Sequence, residues 1–116
     1  MARVVVIGTG SIGERHARCF QQTGRAEVSI CEVNAELRAA VQERYGFARG
    51  FATLAEAIAS RPDAAVICTP AHLHVSMAIE LAQAGIASRA YRPGPYSQRE
   101  GLLWDFDRLV VERLGE

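Results

Sequence analysis

Apolar positions along residues 3–85 switch repeatedly between two periods. Residues 3–7, Arg-Val-Val-Val-Ile, are β-branched and almost continuously apolar, which suits a strand covered on both faces of a parallel sheet. From Ser11 the spacing becomes helical, with Ile12, His16, Cys19 and Phe20 on one stripe and Gly24 as the stop. Residues 27–32 alternate as a second strand. Asn34 suits a helix N-cap, and residues 35–45 carry Leu37, Ala40, Val41 and Tyr45 on one face, closed by Gly46. Residues 47–51 read as a short third strand. Thr53-Leu54-Ala55-Glu56 is a capping-box pattern opening a helix that ends near Pro62. Residues 64–68 form another buried apolar run, ended by Thr69-Pro70. An Ala-rich helix follows from about Leu73 to Ala84, stopped by Gly85.

Alternation of this kind predicts an α/β fold: a Rossmann-type doubly wound parallel sheet with helices on both faces. After Gly85 the pattern fails. Residues 87–99 hold three Arg, two Pro and two Tyr where a further buried strand is due. Leu102, Leu103, Phe106, Leu109, Val110 and Leu114 then recur at helical spacing. The expected organisation is a nucleotide-binding domain over residues 1–86 and a divergent, irregular tail over 87–116, ending in a short amphipathic helix at 101–114.

Composition narrows the chemistry. A chain of 116 residues allows one domain. Thirteen basic and thirteen acidic residues cancel, so no broad charge field recruits nucleic acid or an anionic membrane. Every basic residue is Arg, which excludes a Schiff-base Lys, a Walker-type phosphate Lys and a Lys general acid within this chain. Cys19, Cys31 and Cys68 are odd in number and widely spaced. They read as small hydrophobes in a reducing compartment rather than as a disulfide framework or zinc site. No signal peptide or membrane-length apolar run is evident, so a cytoplasmic chain is expected.

Gly8-Thr9-Gly10-Ser11-Ile12-Gly13 fits G-x-G-x-x-G between a strand and a helix. The first glycine permits the tight turn, the second lets the backbone approach a pyrophosphate, and the third lets helix pack on strand. The helix start then offers unpaired N–H groups and a positive dipole end. Glu32 ends the second strand, 24 residues beyond Gly8. A carboxylate there accepts from a ribose 2′-hydroxyl and repels a 2′-phosphate, which favours NAD over NADP, with Arg38 nearby as a residue able to soften that preference. The structural alternative for Glu32 is a solvated strand-end carboxylate.

Beyond these elements, residues 3 to about 86 resemble the N-terminal domain of the Gfo/Idh/MocA oxidoreductases. The likeness rests on Val-Ile-Gly-Thr-Gly-Ser-Ile-Gly at 6–13 with His16 after it, and on Ile30-Cys31-Glu32-Val33-Asn34. Tyr45-Gly46, Leu54-Ala55-Glu56-Ala57-Ile58 and Pro62-Asp63-Ala64-Ala65-Val66-Ile67 add to it. Cys68-Thr69-Pro70-Ala71-His72-Leu73-His74, followed by Ala82-Gln83-Ala84-Gly85, is its most specific part. The resemblance implies a Rossmann domain binding NAD(H) or NADP(H), followed by a larger α/β domain for a sugar, polyol or related substrate. It implies that Thr69 and Pro70 line the cofactor crevice with His74 nearby. Ala71 stands where many members carry Asn. Members also carry Glu-Lys-Pro after the fifth strand, the Lys serving proton transfer, whereas this chain has Ala90-Tyr91-Arg92-Pro93-Gly94. The chain is accordingly read as truncated or frameshifted after about residue 86, without its substrate domain and without hydride-transfer activity alone.

The cofactor-binding set is therefore Gly8, Thr9, Gly10, Ser11, Ile12, Gly13, Glu32, Thr69, Pro70 and His74, with no catalytic residue and no metal ligand assigned. His16 reads as packed or capping, and His72 and His74 lie two apart at a helix start, which separates their directions. The expected partners are a dinucleotide and either a second copy of the chain or the missing substrate domain. Two other functions stay open: a non-enzymatic NAD-sensing or oligomerising module, and an inactive remnant lacking its fifth strand. A short-chain dehydrogenase is disfavoured because its Tyr-x-x-x-Lys needs the absent Lys. A methyltransferase shares the glycine turn and ribose acid but ranks below on the Thr-Pro…His segment.

Overall fold

The computed structural model describes residues 1–90. Five parallel strands form one sheet in the order β3-β2-β1-β4-β5. The elements run β1 (Ala2–Ile7), α1 (Ser11–Gln22), β2 (Ala26–Cys31), α2 (Ala35–Tyr45), β3 (Gly50–Phe51), α3 (Leu54–Ala59), β4 (Ala64–Ile67), α4 (His74–Gln83) and β5 (Ala87–Ala90). A single 3-10 turn, Ala71–Leu73, leads into α4.

The central strand explains the rest. β1 pairs with β2 from Ala2↔Ala26 to Ile7↔Cys31 and with β4 from Val4↔Ala64 to Ile7↔Ile67. It is therefore flanked on both edges, and its continuous valines serve both faces. Val4 and Val6 join Ala17 and Phe20 of α1 and Val41 of α2. Val5 and Ile7 point the other way, to Ala57 of α3 and Leu81 of α4. This is the two-sided helix cover expected of a doubly wound sheet.

Two expectations need correction. The segment after Gly85 is not without a strand, because β5 pairs parallel to β4 from Ala64↔Ala87 to Ile67↔Ala90. Its Ala-Ser-Arg-Ala sequence has no apolar alternation, yet main-chain pairing to a well-buried neighbour is enough to hold it as an outer strand. The premise that a fifth strand is missing therefore does not hold for residues 87–90. The stripe expected on α2 is also thinner than its spacing suggests. Only Val41 is buried, and Leu37 is 36% exposed, because the two-residue β3 gives this helix little sheet to cover. The helix expected at 101–114 lies outside the described residues.

Caps behave as their residue types dictate. Asn34 accepts from the Leu37 N–H, and Gly46 closes α2 in the left-handed region. Thr53 accepts from the Glu56 N–H, while the Glu56 carboxylate accepts from Ala52 N, one residue earlier than the standard capping box. Between helices, the Glu14 carboxylate of α1 accepts from the Tyr45 hydroxyl at 2.7 Å and from the Arg44 guanidinium. These donors, Tyr45 first, hold the Glu14 carboxyl below its ordinary value.

Candidate functional site

The site is built at the carboxyl ends of β1, β2 and β4, where the sheet order reverses. Open α/β sheets bind ligands in the crevice at that point. Gly8 leaves β1 with φ +88 and donates its N–H to the Cys31 carbonyl at 2.8 Å. A Cβ on Gly8 would stand 3.0 Å from both the Cys68 carbonyl carbon and the Thr69 nitrogen. The turn therefore rests directly on the end of β4. Gly13 is tighter still: a Cβ there would lie 1.7 Å from the Gly8 carbonyl oxygen.

Gly10 differs in kind. Its φ of −63 is open to any residue, and a Cβ on it would meet no atom of the described residues within 4 Å beyond its chain neighbours. The fold does not require glycine at this position; open space beside the first turn of α1 is what the missing side chain provides. As N-cap, Gly10 supplies no side-chain bond, and the first helical hydrogen bond runs from Glu14 N to its carbonyl at 2.9 Å. The N–H groups of Ser11, Ile12 and Gly13 precede that bond and face the helix entrance. A helix start so arranged is chemically suited to an anionic diphosphate.

Glu32 is held rigidly beside the turn. Its Oε1 accepts from Thr9 N at 2.9 Å and from Thr9 Oγ1 at 3.1 Å, and its Oε2 accepts from Asn34 N at 3.1 Å. Burial alone would push this carboxyl up. The donated bonds from Thr9, Asn34 and Val33 outweigh that and hold it below the ordinary value of 4.5. Arg38 donates to the main-chain carbonyl of Glu32 at 2.8 Å, so its guanidinium sits close to the residue whose preference it could soften.

The remaining residues lie on the β4 side. His74 Nε2 is 2.6 Å from the Thr69 carbonyl oxygen, and Thr69 Oγ1 donates to Met77 Sδ at 3.3 Å. Pro70 is exposed and opens the 3-10 turn. The structure thus brings Gly8, Gly13, Cys68 and Thr69 into contact and ties Thr9 to Glu32. Sequence reading missed the Asn34 N–H as a donor to Glu32 and the Cys68 backbone as the floor of the turn. Neither is announced by periodicity, although both follow once β1 is seated between β2 and β4. His16 is buried on α1 at 7% exposure. No disulfide joins the three cysteines, and Cys31 is buried with its thiol pushed up to about 11 by desolvation. Among the described residues no group of three His, Cys, Asp or Glu side chains gathers as for a metal, and no helix is long and apolar enough to cross a membrane.

The depressed carboxyls make an acid prediction. Groups ionised more readily in the folded chain than in the unfolded one contribute stability that is present above the ordinary carboxyl value and lost as pH falls through the lowered one. Denaturant midpoints measured from pH 7 down to pH 3 should therefore fall below about pH 4.5. Glu32→Gln and Glu14→Gln should each flatten that fall; a profile unchanged by either substitution would contradict the assignment.

Comparison with known proteins supplies the relatives. Residues 2–88 match the GFO_IDH_MocA family, described as an oxidoreductase family with an NAD-binding Rossmann fold. The 4-carboxy-2-hydroxymuconate-6-semialdehyde dehydrogenase of Sphingobium sp. (strain NBRC 103272 / SYK-6) is 35% identical over 85 residues, covering 72% of this chain and 27% of that protein. The WlbA dehydrogenase of Bordetella pertussis, solved with NADH and UDP-GlcNAcA, superposes with a TM-score of 0.73 at 32% identity, over 96% of this chain and 35% of that one. Levoglucosan dehydrogenase, solved with NADH and levoglucosan, gives a TM-score of 0.68 at 28% identity, over 77% of this chain and 27% of that one. The chain thus spans between a quarter and about a third of the length of these relatives.

Proposed function

Because the chain belongs to the Gfo/Idh/MocA oxidoreductase family and carries its NAD-binding Rossmann fold, we propose that it serves as the dinucleotide-holding part of a dehydrogenase acting on sugars, polyols or related substrates. The observation that carries this reading is Gly10, a glycine that neither backbone conformation nor neighbouring atoms require. The space it leaves adjoins the entrance of α1, which fits a pyrophosphate held by the N–H groups of Ser11, Ile12 and Gly13. Gly8 and Gly13 shape the turn. Glu32 accepts from the adenine ribose, and its negative charge disfavours a 2′-phosphate, so NAD is preferred to NADP. Thr69, Pro70 and His74 border the nicotinamide side of the crevice.

When bound, the nicotinamide supplies the hydride chemistry; these residues bind and orient it. The chain has no Lys to take the family's proton-transfer part, and Arg92 stands in the corresponding region. Hydride transfer by this chain alone is therefore not expected, and substrate-binding residues and a proton-transferring group come from elsewhere in the working enzyme.

Titration of the chain with NADH and with NADPH by calorimetry tests the reading. Saturable binding that favours NADH is expected. Gly10→Val should retain the wild-type melting temperature within a few degrees while weakening NADH by at least about tenfold, about 1.4 kcal/mol. Equal NADH affinity in wild type and Gly10→Val would overturn the placement of the pyrophosphate.

A further inference from the structure

The hold that Thr9 has on Glu32 reaches beyond joining two loops. Thr9 is the residue between the first two glycines, and its side chain is 1% exposed. Its N–H and its hydroxyl both end on the same carboxylate oxygen, Glu32 Oε1, at 2.9 and 3.1 Å. An ionised carboxylate offers about four lone-pair positions, two on each oxygen. Thr9 fills those of Oε1. Asn34 N donates to Oε2 at 3.1 Å and the Val33 N–H adds a weaker donation to the carboxylate, so what a ligand hydroxyl can still reach is Oε2, the oxygen that Thr9 does not hold. Two bonds from one residue to one oxygen also fix the plane of the carboxylate, because rotation about the last side-chain bond would break both.

The charge matters as much as the orientation. Thr9 N–H, Thr9 O–H, Asn34 N–H and Val33 N–H are neutral dipoles, and Arg38 is engaged at the main-chain carbonyl of Glu32, 2.8 Å away, rather than at the carboxylate oxygens. The group is thus anchored by donors that leave its negative charge in place. A threonine does this where an arginine or lysine would neutralise the charge.

We infer that Thr9 is a positioning residue for cofactor choice: by occupying Glu32 Oε1 it aims Oε2 at the ribose and preserves the charge that turns away a 2′-phosphate. The inference rests on the reading of Glu32 as ribose acceptor given above. Thr9 acts through Glu32 and not by touching the dinucleotide. A merely structural role predicts something else. If Thr9 only tied the glycine turn to β2, losing its hydroxyl would disturb the pyrophosphate cradle and weaken NADH and NADPH alike.

The test is the ratio of NADH to NADPH affinity in the full chain, by calorimetry, for wild type, Thr9→Ser, Thr9→Val and Thr9→Ala, with a thermal melt of each. Thr9→Ser keeps the hydroxyl and should hold the ratio within about twofold, while Thr9→Val keeps the shape without it and should lower the ratio by about five- to tenfold, the loss of one hydrogen bond. The fall should come from NADH, with NADPH affinity unchanged. Thr9→Ala repeats the result if the valine variant fails to fold. Folded valine and alanine variants that retain the wild-type ratio, or that weaken both cofactors equally, would overturn the positioning role while leaving Glu32 as the ribose acceptor. A wild-type chain that binds NADH and NADPH equally, or neither, would overturn the Glu32 reading and this inference with it.

Discussion

Gly13→Ala should abolish the cooperative fold. The added Cβ would stand 1.7 Å from the Gly8 carbonyl oxygen and 2.8 Å from its carbon, both main-chain atoms. Gly8 cannot retreat, because its N–H is bonded to the Cys31 carbonyl and its other side abuts the Cys68 and Thr69 backbone. Relief requires α1 to lift from β1, exposing Ala17 and Phe20. A loss beyond about 4–5 kcal/mol is expected, against the about 5–15 kcal/mol that holds a domain of this size. Circular dichroism and a thermal melt would decide it: a cooperative transition within about 5 °C of wild type, a shift of only about 1 kcal/mol, would show that the contact can relax. The contrast with Gly10→Val is the informative part. Two glycines three residues apart should separate folding from ligand binding.

Phe20→Ala is the second large effect. Phe20 is fully buried on α1, within the cluster formed by Val4, Val6, Ile30, Val41 and Val66. Truncation removes the largest fully buried side chain among the described residues and leaves a cavity that the strands beneath cannot fill. A destabilisation of about 3–5 kcal/mol follows from transfer and cavity costs. Urea unfolding should show a lower midpoint with an unchanged slope. A loss below about 1 kcal/mol would mean that α1 is held by its loops instead of by this contact.

How much of this was legible beforehand depends on the kind of interaction. α2 emerges at residues 35–45 as its Asn34 cap and Gly46 stop dictate, because both signals are local. β1 is legible because burial on two faces leaves an uninterrupted apolar run. β5 is not, since Ala87, Ser88, Arg89 and Ala90 join the sheet through main-chain pairing, with the small side chain of Ala90 against the core, and show no apolar alternation. The glycine turn and Glu32 could be paired from spacing alone, but not the way they are joined. Thr9 and Glu32 are neighbours only because β1 and β2 lie side by side, and nothing in a G-x-G motif specifies the middle residue. Likewise, the Glu14 contact with Arg44 and Tyr45 depends on two helices sharing one face of the sheet.

The pairing of β1 with β4 also orders events in time. Val4 lies opposite Ala64 and Ile7 opposite Ile67, so the middle of the sheet joins residues sixty apart in the chain. Contacts of such separation are slow to form, because a long loop must close before they contribute. During vectorial synthesis, β1, α1 and β2 emerge first and can associate, yet the floor beneath Gly8 consists of Cys68 and Thr69. A nascent chain interrupted before residue 64 would carry its glycine loop above a bare strand edge, complete in motif and without a support. Competence for a dinucleotide is thus acquired only with the delivery of β4.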